Sequence, residues 1–164
     1  MQGQPRLWSV IRDISARKKA EEALARARDF AESIITTAQV LVVVLDETGN
    51  ILRINPYAAE LCGYTTEELA GRNWFDTMLP DYEKKRVTGI FDDVKTATQV
   101  RRGRNPIWTR SGEERLIEWS SVTLSANEQV VGILSIGQDI TDRQQMGEAL
   151  LISEVRYRGL FENS

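Results

Sequence analysis

The feature that most constrains this chain is a self-similarity that joins its two ends. Asp13-Ile14-Ser15, Ala16-Arg17 and Glu22-Ala23-Leu24 reappear as Asp139-Ile140-Thr141, Asp142-Arg143 and Glu148-Ala149-Leu150, all at one shift of 126 positions. The same shift sets Ile34-Ile35 opposite Leu160-Phe161. A fixed period of this kind marks a tandem array. It is too long for a solenoid repeat and suits one small domain with its linker. The chain therefore reads as a segment of a longer array. Residues 1–15 are expected to be the tail of a preceding module, 16–38 a linker helix, 39–141 one whole module, and 142–164 an exit helix and the start of a following module.

Composition narrows the chemistry. The chain has no histidine and a single cysteine, Cys62. No internal disulfide can form, and the expected compartment is the reducing cytoplasm. Histidine-dependent nucleophile pairs and histidine metal ligands are excluded, as is a thiolate zinc site. The expected metal content is none. A formal net charge of −3 with no basic face argues against a nucleic-acid partner. The longest apolar run, Val40 to Leu45, is too short to cross a bilayer, so no membrane contact is expected here.

The local pattern predicts an α+β domain. Leu7 to Ile14 reads as a short strand ending at Ser15, an N-cap for the helix that follows. That helix carries a seam of Ala20, Leu24, Ala27, Ala31, Ile34 and Ala38, spaced as heptads, opposite a mixed-charge face. The seam fits either a parallel coiled coil joining two protomers or a helix lying on its own domain. Val40–Leu45 and Ile51–Ile54 read as a hairpin about Asp46-Glu47-Thr48-Gly49-Asn50. Asn55-Pro56 starts a short helix that Gly63 ends. Thr65 and Glu68 have capping-box spacing. Pro80 opens a longer helix with Val87, Ile90, Phe91 and Val94 on one face. Three strands close the module: Arg101–Thr109, whose Pro106 suggests an edge, Glu114–Leu124, and Val130–Ile140. Thr141 and Gln144 read as a capping box for the exit helix, whose seam is Met146, Leu150, Ser153, Tyr157 and Leu160. One antiparallel sheet with helices on one face follows from this order.

These residues together resemble a PAS domain with its PAC segment, the sensory box of multi-domain bacterial signalling proteins. The match is carried by Asp46 and Gly49, by Asn55-Pro56 with Ala59, and by Gly63-Tyr64-Thr65 with Glu67-Glu68-Leu69. It continues through Gly71-Arg72-Asn73-Trp74, Thr109-Arg110-Ser111-Gly112 and Gly137-Gln138-Asp139-Ile140-Thr141. The flanks resemble the end of one PAS/PAC module and the start of another. The resemblance implies a PAS fold: a five-stranded antiparallel sheet with helices on one face, flanked by amphipathic linker helices. It also implies a ligand or cofactor site between sheet and helices. Haem held by a histidine is excluded, since the chain has none. The flavin–cysteine adduct of the light-sensing members is excluded too. Trp74 follows Gly71-Arg72-Asn73 where that cysteine would stand, Cys62 lies on an earlier helix, and Gly137 stands where those members place a glutamine. Non-covalent flavin stays open, and the cofactor is otherwise unknown.

Strand alternation then proposes a cavity. With Gly137 facing the helices, Ser135, Ile133 and Val131 face them too, beside Ile117, Trp119 and Ser121 on the neighbouring strand. Trp74, Met78 and Phe91 would close over them. This is either a mostly apolar ligand pocket or a core filled by its two tryptophans. Cys62 reads as a small buried apolar residue, with a redox thiol as the alternative. Lys84-Lys85-Arg86 reads as a solvated helix face, and Asp92-Asp93 point apart on a helix.

The expected function is a sensory and dimerisation module with no catalysis of its own. A ligand or the packing of the core would set the last strand, Asp139, Ile140 and Thr141 would couple it to the exit helix, and a downstream kinase or cyclic-dinucleotide enzyme would respond. Expected partners are a second copy joined through Ala20, Leu24, Ala27, Ala31 and Ile34, the neighbouring modules, and a small molecule. The alternative is a ligand-free adaptor with a filled core.

Overall fold

Secondary structure here follows from where each segment can satisfy its backbone. The computed structural model describes residues 4–162. The expectations for residues 1–3 and 163–164 lie outside the described residues. The chain forms two units, α1 (Gln4–Thr37) with the residues up to Ala38, and everything from Gln39 onward.

The first unit corrects an expectation. Residues 7–14 are helix, not strand, and Ser15 lies inside α1 instead of capping it. A lone strand leaves its N–H and C=O groups unpaired, whereas a helix pairs them within its own segment. The seam residues Ala20, Leu24, Ala27, Ala31 and Ile34 are exposed within the single chain, Leu24 by 72%.

The second unit opens with β1 (Leu41–Leu45) and β2 (Ile51–Ile54). The turn between them is built by Asp46, whose Oδ1 accepts from the N–H groups of Thr48 and Asn50, each at 2.9 Å. Gly49 closes it at φ +89°, a conformation that favours glycine. Asn55 caps α2 (Pro56–Cys62), and Gly63 ends it in the left-handed region. The capping box of Thr65 and Glu68 is formed at the start of α3 (Thr66–Leu69). Asn73 caps α4 (Trp74–Met78), and Pro80 precedes α5 (Asp81–Thr96).

Three strands follow, β3 (Arg101–Trp108), β4 (Glu114–Ala126) and β5 (Gln129–Asp139), and then α6 (Thr141–Glu162). The sheet is five-stranded in the order β2-β1-β5-β4-β3, with every neighbouring pair antiparallel. Pro106 lies on β3, an edge strand, where its missing N–H costs no central ladder bond. Helices α2 to α5 cover one face. The core between them includes Leu41, Val43, Met78, Ile107, Ile117 and Ile133, each at most 1% exposed. Among the described residues no helix is long and apolar enough to cross a membrane.

Candidate functional site

The pocket between α5 and the sheet and the junction of β5 with α6 both combine polar chemistry with burial.

The pocket has a volume of about 80 Å³. Its apolar wall comes from β1 (Val43, Leu45), α4 (Trp74, Phe75), α5 (Val87, Ile90, Phe91, Val94) and β5 (Ile133). Trp74 and Trp119 meet edge to face with centroids 5.7 Å apart, and Phe75 meets Phe91 in the same way at 5.0 Å. The hydroxyls of Ser121 and Ser135 are hydrogen-bonded to each other at 2.8 Å across the β4–β5 pair. The Thr123 hydroxyl donates to the carbonyl of Val94 at 2.6 Å and ties the end of α5 to β4.

The structure sorts the sequence-predicted cavity residues. Trp74, Phe91, Trp119, Ser121, Ile133 and Ser135 line the pocket. Met78 and Ile117 are in the sealed core, both 0% exposed. Gly137 lies against Trp119 and Ile117, so its lack of a side chain makes room for the indole and does not enlarge the pocket. Val131, placed inward by strict alternation, is 49% exposed because the β4–β5 register shifts between Leu124 and Ser125.

Sequence alternation did not reach the β3 side of the pocket, residues Arg101 to Asn105, of which Arg101, Gly103 and Asn105 matter most. Residues directly opposite on an antiparallel pair share a face. Arg101 is opposite Ser121, Gly103 opposite Trp119 and Asn105 opposite Ile117, so all three belong to the helix-covered face. Alternation from Trp119 across to β3 carries that signal.

At the junction, Ile140 is 2% exposed and its N–H donates to the carbonyl of Leu116 at 2.9 Å. Thr141 faces two ways. Its hydroxyl donates to Oδ1 of Asp139 and accepts from the N–H of Leu116 at 2.9 Å. Oδ1 of Asp139 also accepts from the Thr141 N–H at 2.9 Å, and Oδ2 meets the Arg115 guanidinium at 3.4 Å. This corrects the expected capping box: the Thr141 hydroxyl serves β4 and Asp139, while the Gln144 amide donates to Glu148. A second link crosses the outer face, where Glu118 pairs with Arg104 of β3 at 2.8 Å and with Arg143 of α6 at 3.7 Å. The Arg104 hydrogen bond outweighs partial desolvation and, with Arg143, holds the Glu118 carboxyl below its ordinary value.

Cys62 is fully buried in α2, and desolvation pushes its thiol up to about 12. A thiol so placed carries little thiolate at neutral pH.

A family model described as the PAS fold matches residues 29–140. Sporulation kinase E of Bacillus subtilis is 26% identical over 162 residues, which is 99% of this chain and 21% of that protein. The chain thus spans about a fifth of that relative. The PAS domain of an HTR-like protein from Haloarcula marismortui superposes with a TM-score of 0.64 at 20% identity, covering 75% of this chain and 99% of that one. The PAS domain of the RpfR quorum-sensing receptor of Cronobacter turicensis, solved in complex with BDSF, gives 0.55 at 25% identity over 65% and 98%.

Proposed function

Because the chain belongs to the PAS-fold family, a family of sensory modules in signalling proteins, we propose that it acts as a cytoplasmic relay between a pocket and a helix. The occupancy or packing state of the pocket biases β5. Asp139, Ile140 and Thr141 pass that bias to α6, and α6 passes it to a downstream output domain such as a kinase or a cyclic-dinucleotide enzyme. The observation that carries this reading is the bond set of Thr141, which holds the start of α6 to both β4 and the end of β5. Ser135, four residues upstream on the same strand, lines the pocket. Similarity to a sporulation kinase and to a quorum-sensing receptor PAS domain solved in complex with BDSF supports the sensory role.

A relay needs two arrangements close in energy, separated by a bias of about 1–3 kcal/mol from the signal. The exposed seam Ala20, Leu24, Ala27, Ala31 and Ile34 supports pairing of α1 with that of a second copy. The test is Asp139→Ala in the full-length signalling protein. Output should stop following input while the fold persists, and regulation that survives the change would refute the relay.

The second reading, an adaptor with a filled core, is favoured by one observation. About 80 Å³ is well short of the roughly 300 Å³ at which pockets for larger ligands begin, and the two tryptophans occupy much of the space. A flavin does not fit this volume without displacing them. A thermal shift screen with small metabolites separates the readings, since a bound ligand raises stability by mass action and a filled core gains nothing.

A further inference from the structure

The charge and size of the pocket together select a class of ligand. Among the described residues none that lines it is acidic. Arg101 stands at its rim on the helix-covered face of β3, is exposed, and has no carboxylate within ion-pair reach among the described residues. Its neighbours Arg102 and Arg104 also border the pocket, but Arg104 is engaged by Glu118 at 2.8 Å, and Arg102, opposite Ser120, alternates to the other face of the strand. Inside the rim, the Ser121–Ser135 pair leaves one hydroxyl hydrogen unspent, because only one of the two can donate within the pair. The Asn105 side chain is 7% exposed and spends one amide hydrogen on the carbonyl of Pro106, leaving the other.

The apolar interior is small. At about 15 Å³ of water-probe volume per water-sized group, 80 Å³ takes about five such groups. Gly103 keeps it open: it faces Trp119 across the β3–β4 pair, and a Cβ there would meet nothing within 4 Å.

We propose that this pocket binds a short-chain carboxylate of about four to six carbons, its alkyl tail against Phe91, Val94 and Ile133 and its carboxylate on Arg101. This rests on the sensory reading above and gives it an input. A planar guanidinium with no resident counter-ion matches a carboxylate, and the low-polarity wall matches a short tail.

The experiment is calorimetric titration of the whole chain with butyrate, valerate, hexanoate and octanoate, and with the matching alcohols. The acids should bind, with affinity peaking at four to six carbons, and the alcohols should bind at least about tenfold more weakly. Arg101→Gln should weaken the acids by a similar factor at unchanged melting temperature. Gly103→Val should abolish binding in a folded protein, since the added methyls fill open space. Equal binding of acids and alcohols, no binding by any acid, unchanged affinity in Arg101→Gln, or affinity that climbs through eight carbons would each overturn the assignment. The two proposals fail separately. Absent carboxylate binding with an output still uncoupled by Asp139→Ala removes the ligand alone. Intact binding with an output indifferent to Asp139→Ala removes the relay alone.

Discussion

Gly137 of β5 is paired directly with Trp119 of β4, and a Cβ built on Gly137 would stand 2.6 Å from Cζ3 of that indole. The ring lies where a side chain on Gly137 would be, and Ile117 closes the other side, with Cγ2 at 2.7 Å. The edge-to-face contact of Trp119 with Trp74 depends on this seat.

Gly137→Ala should therefore destabilise the protein by about 1–3 kcal/mol, the cost of overpacking a closed core. Urea unfolding should show a lower midpoint. The near-ultraviolet dichroism of the tryptophan pair should change as well, because Trp119 must tilt.

Asn55 is 2% exposed and binds both its helix and its strand. Its Oδ1 accepts from the N–H of Val42 at 3.0 Å and of Ala58 at 3.2 Å, and its amide donates to the carbonyl of Val40 at 2.9 Å. Asn55→Ala removes a cap and strands buried backbone groups, for a loss of about 2–4 kcal/mol. Asn55→Asp keeps the acceptor and should lose less. Thermal melts of the two variants side by side give the ranking.

The Cys62 thiol makes alkaline stability measurable. Burial raises it from an ordinary 9.0 to about 12 in the folded protein. Above pH 9 the unfolded chain gives up this proton while the folded one retains it. The contribution is therefore fully present below pH 9 and is lost as pH rises toward about 12, at close to 1.4 kcal/mol per unit. Cys62→Ala should show a shallower alkaline decline than the native chain, and the difference between the two denaturation series isolates this group. Native Cys62 should react with thiol reagents only as fast as the protein opens.

Thr141→Val keeps the shape of the junction and removes the hydroxyl that serves Leu116 and Asp139. The cost should be about 1–2 kcal/mol. Hydrogen exchange should quicken at the amide of Leu116, while those of β1 hold their protection.

Much of this was legible in the sequence, and the misses share a cause. Asn55-Pro56, the Thr65–Glu68 box and Gly63 were readable because a cap is a local bargain between a side chain and its own backbone. Pro106 announced an edge strand for the same reason. What escaped depends on partners distant in sequence. Residues 7–14 have strand-like composition, but among the described residues no strand pairs with them, and they are part of α1. The Thr141 hydroxyl looks like a cap until Leu116, twenty-five positions earlier, is beside it. Val131 follows the alternation until the register slips after Leu124. Arg101 and Gly103 gain meaning only when β3 is laid against Trp119 and Ser121, and sequence order alone does not supply that register.

The sheet order has an architectural corollary. Leu41, where the chain enters the module, is paired with Gly137, near where it leaves, because β1 and β5 are antiparallel neighbours at the centre. Entrance and exit are thus separated by one inter-strand spacing, about 5 Å. Cutting a longer polypeptide at the paired Leu41 and Gly137 would leave two neighbouring ends that a short connection can rejoin. Such a cassette can be inserted, duplicated or excised without a long connection to bridge the gap.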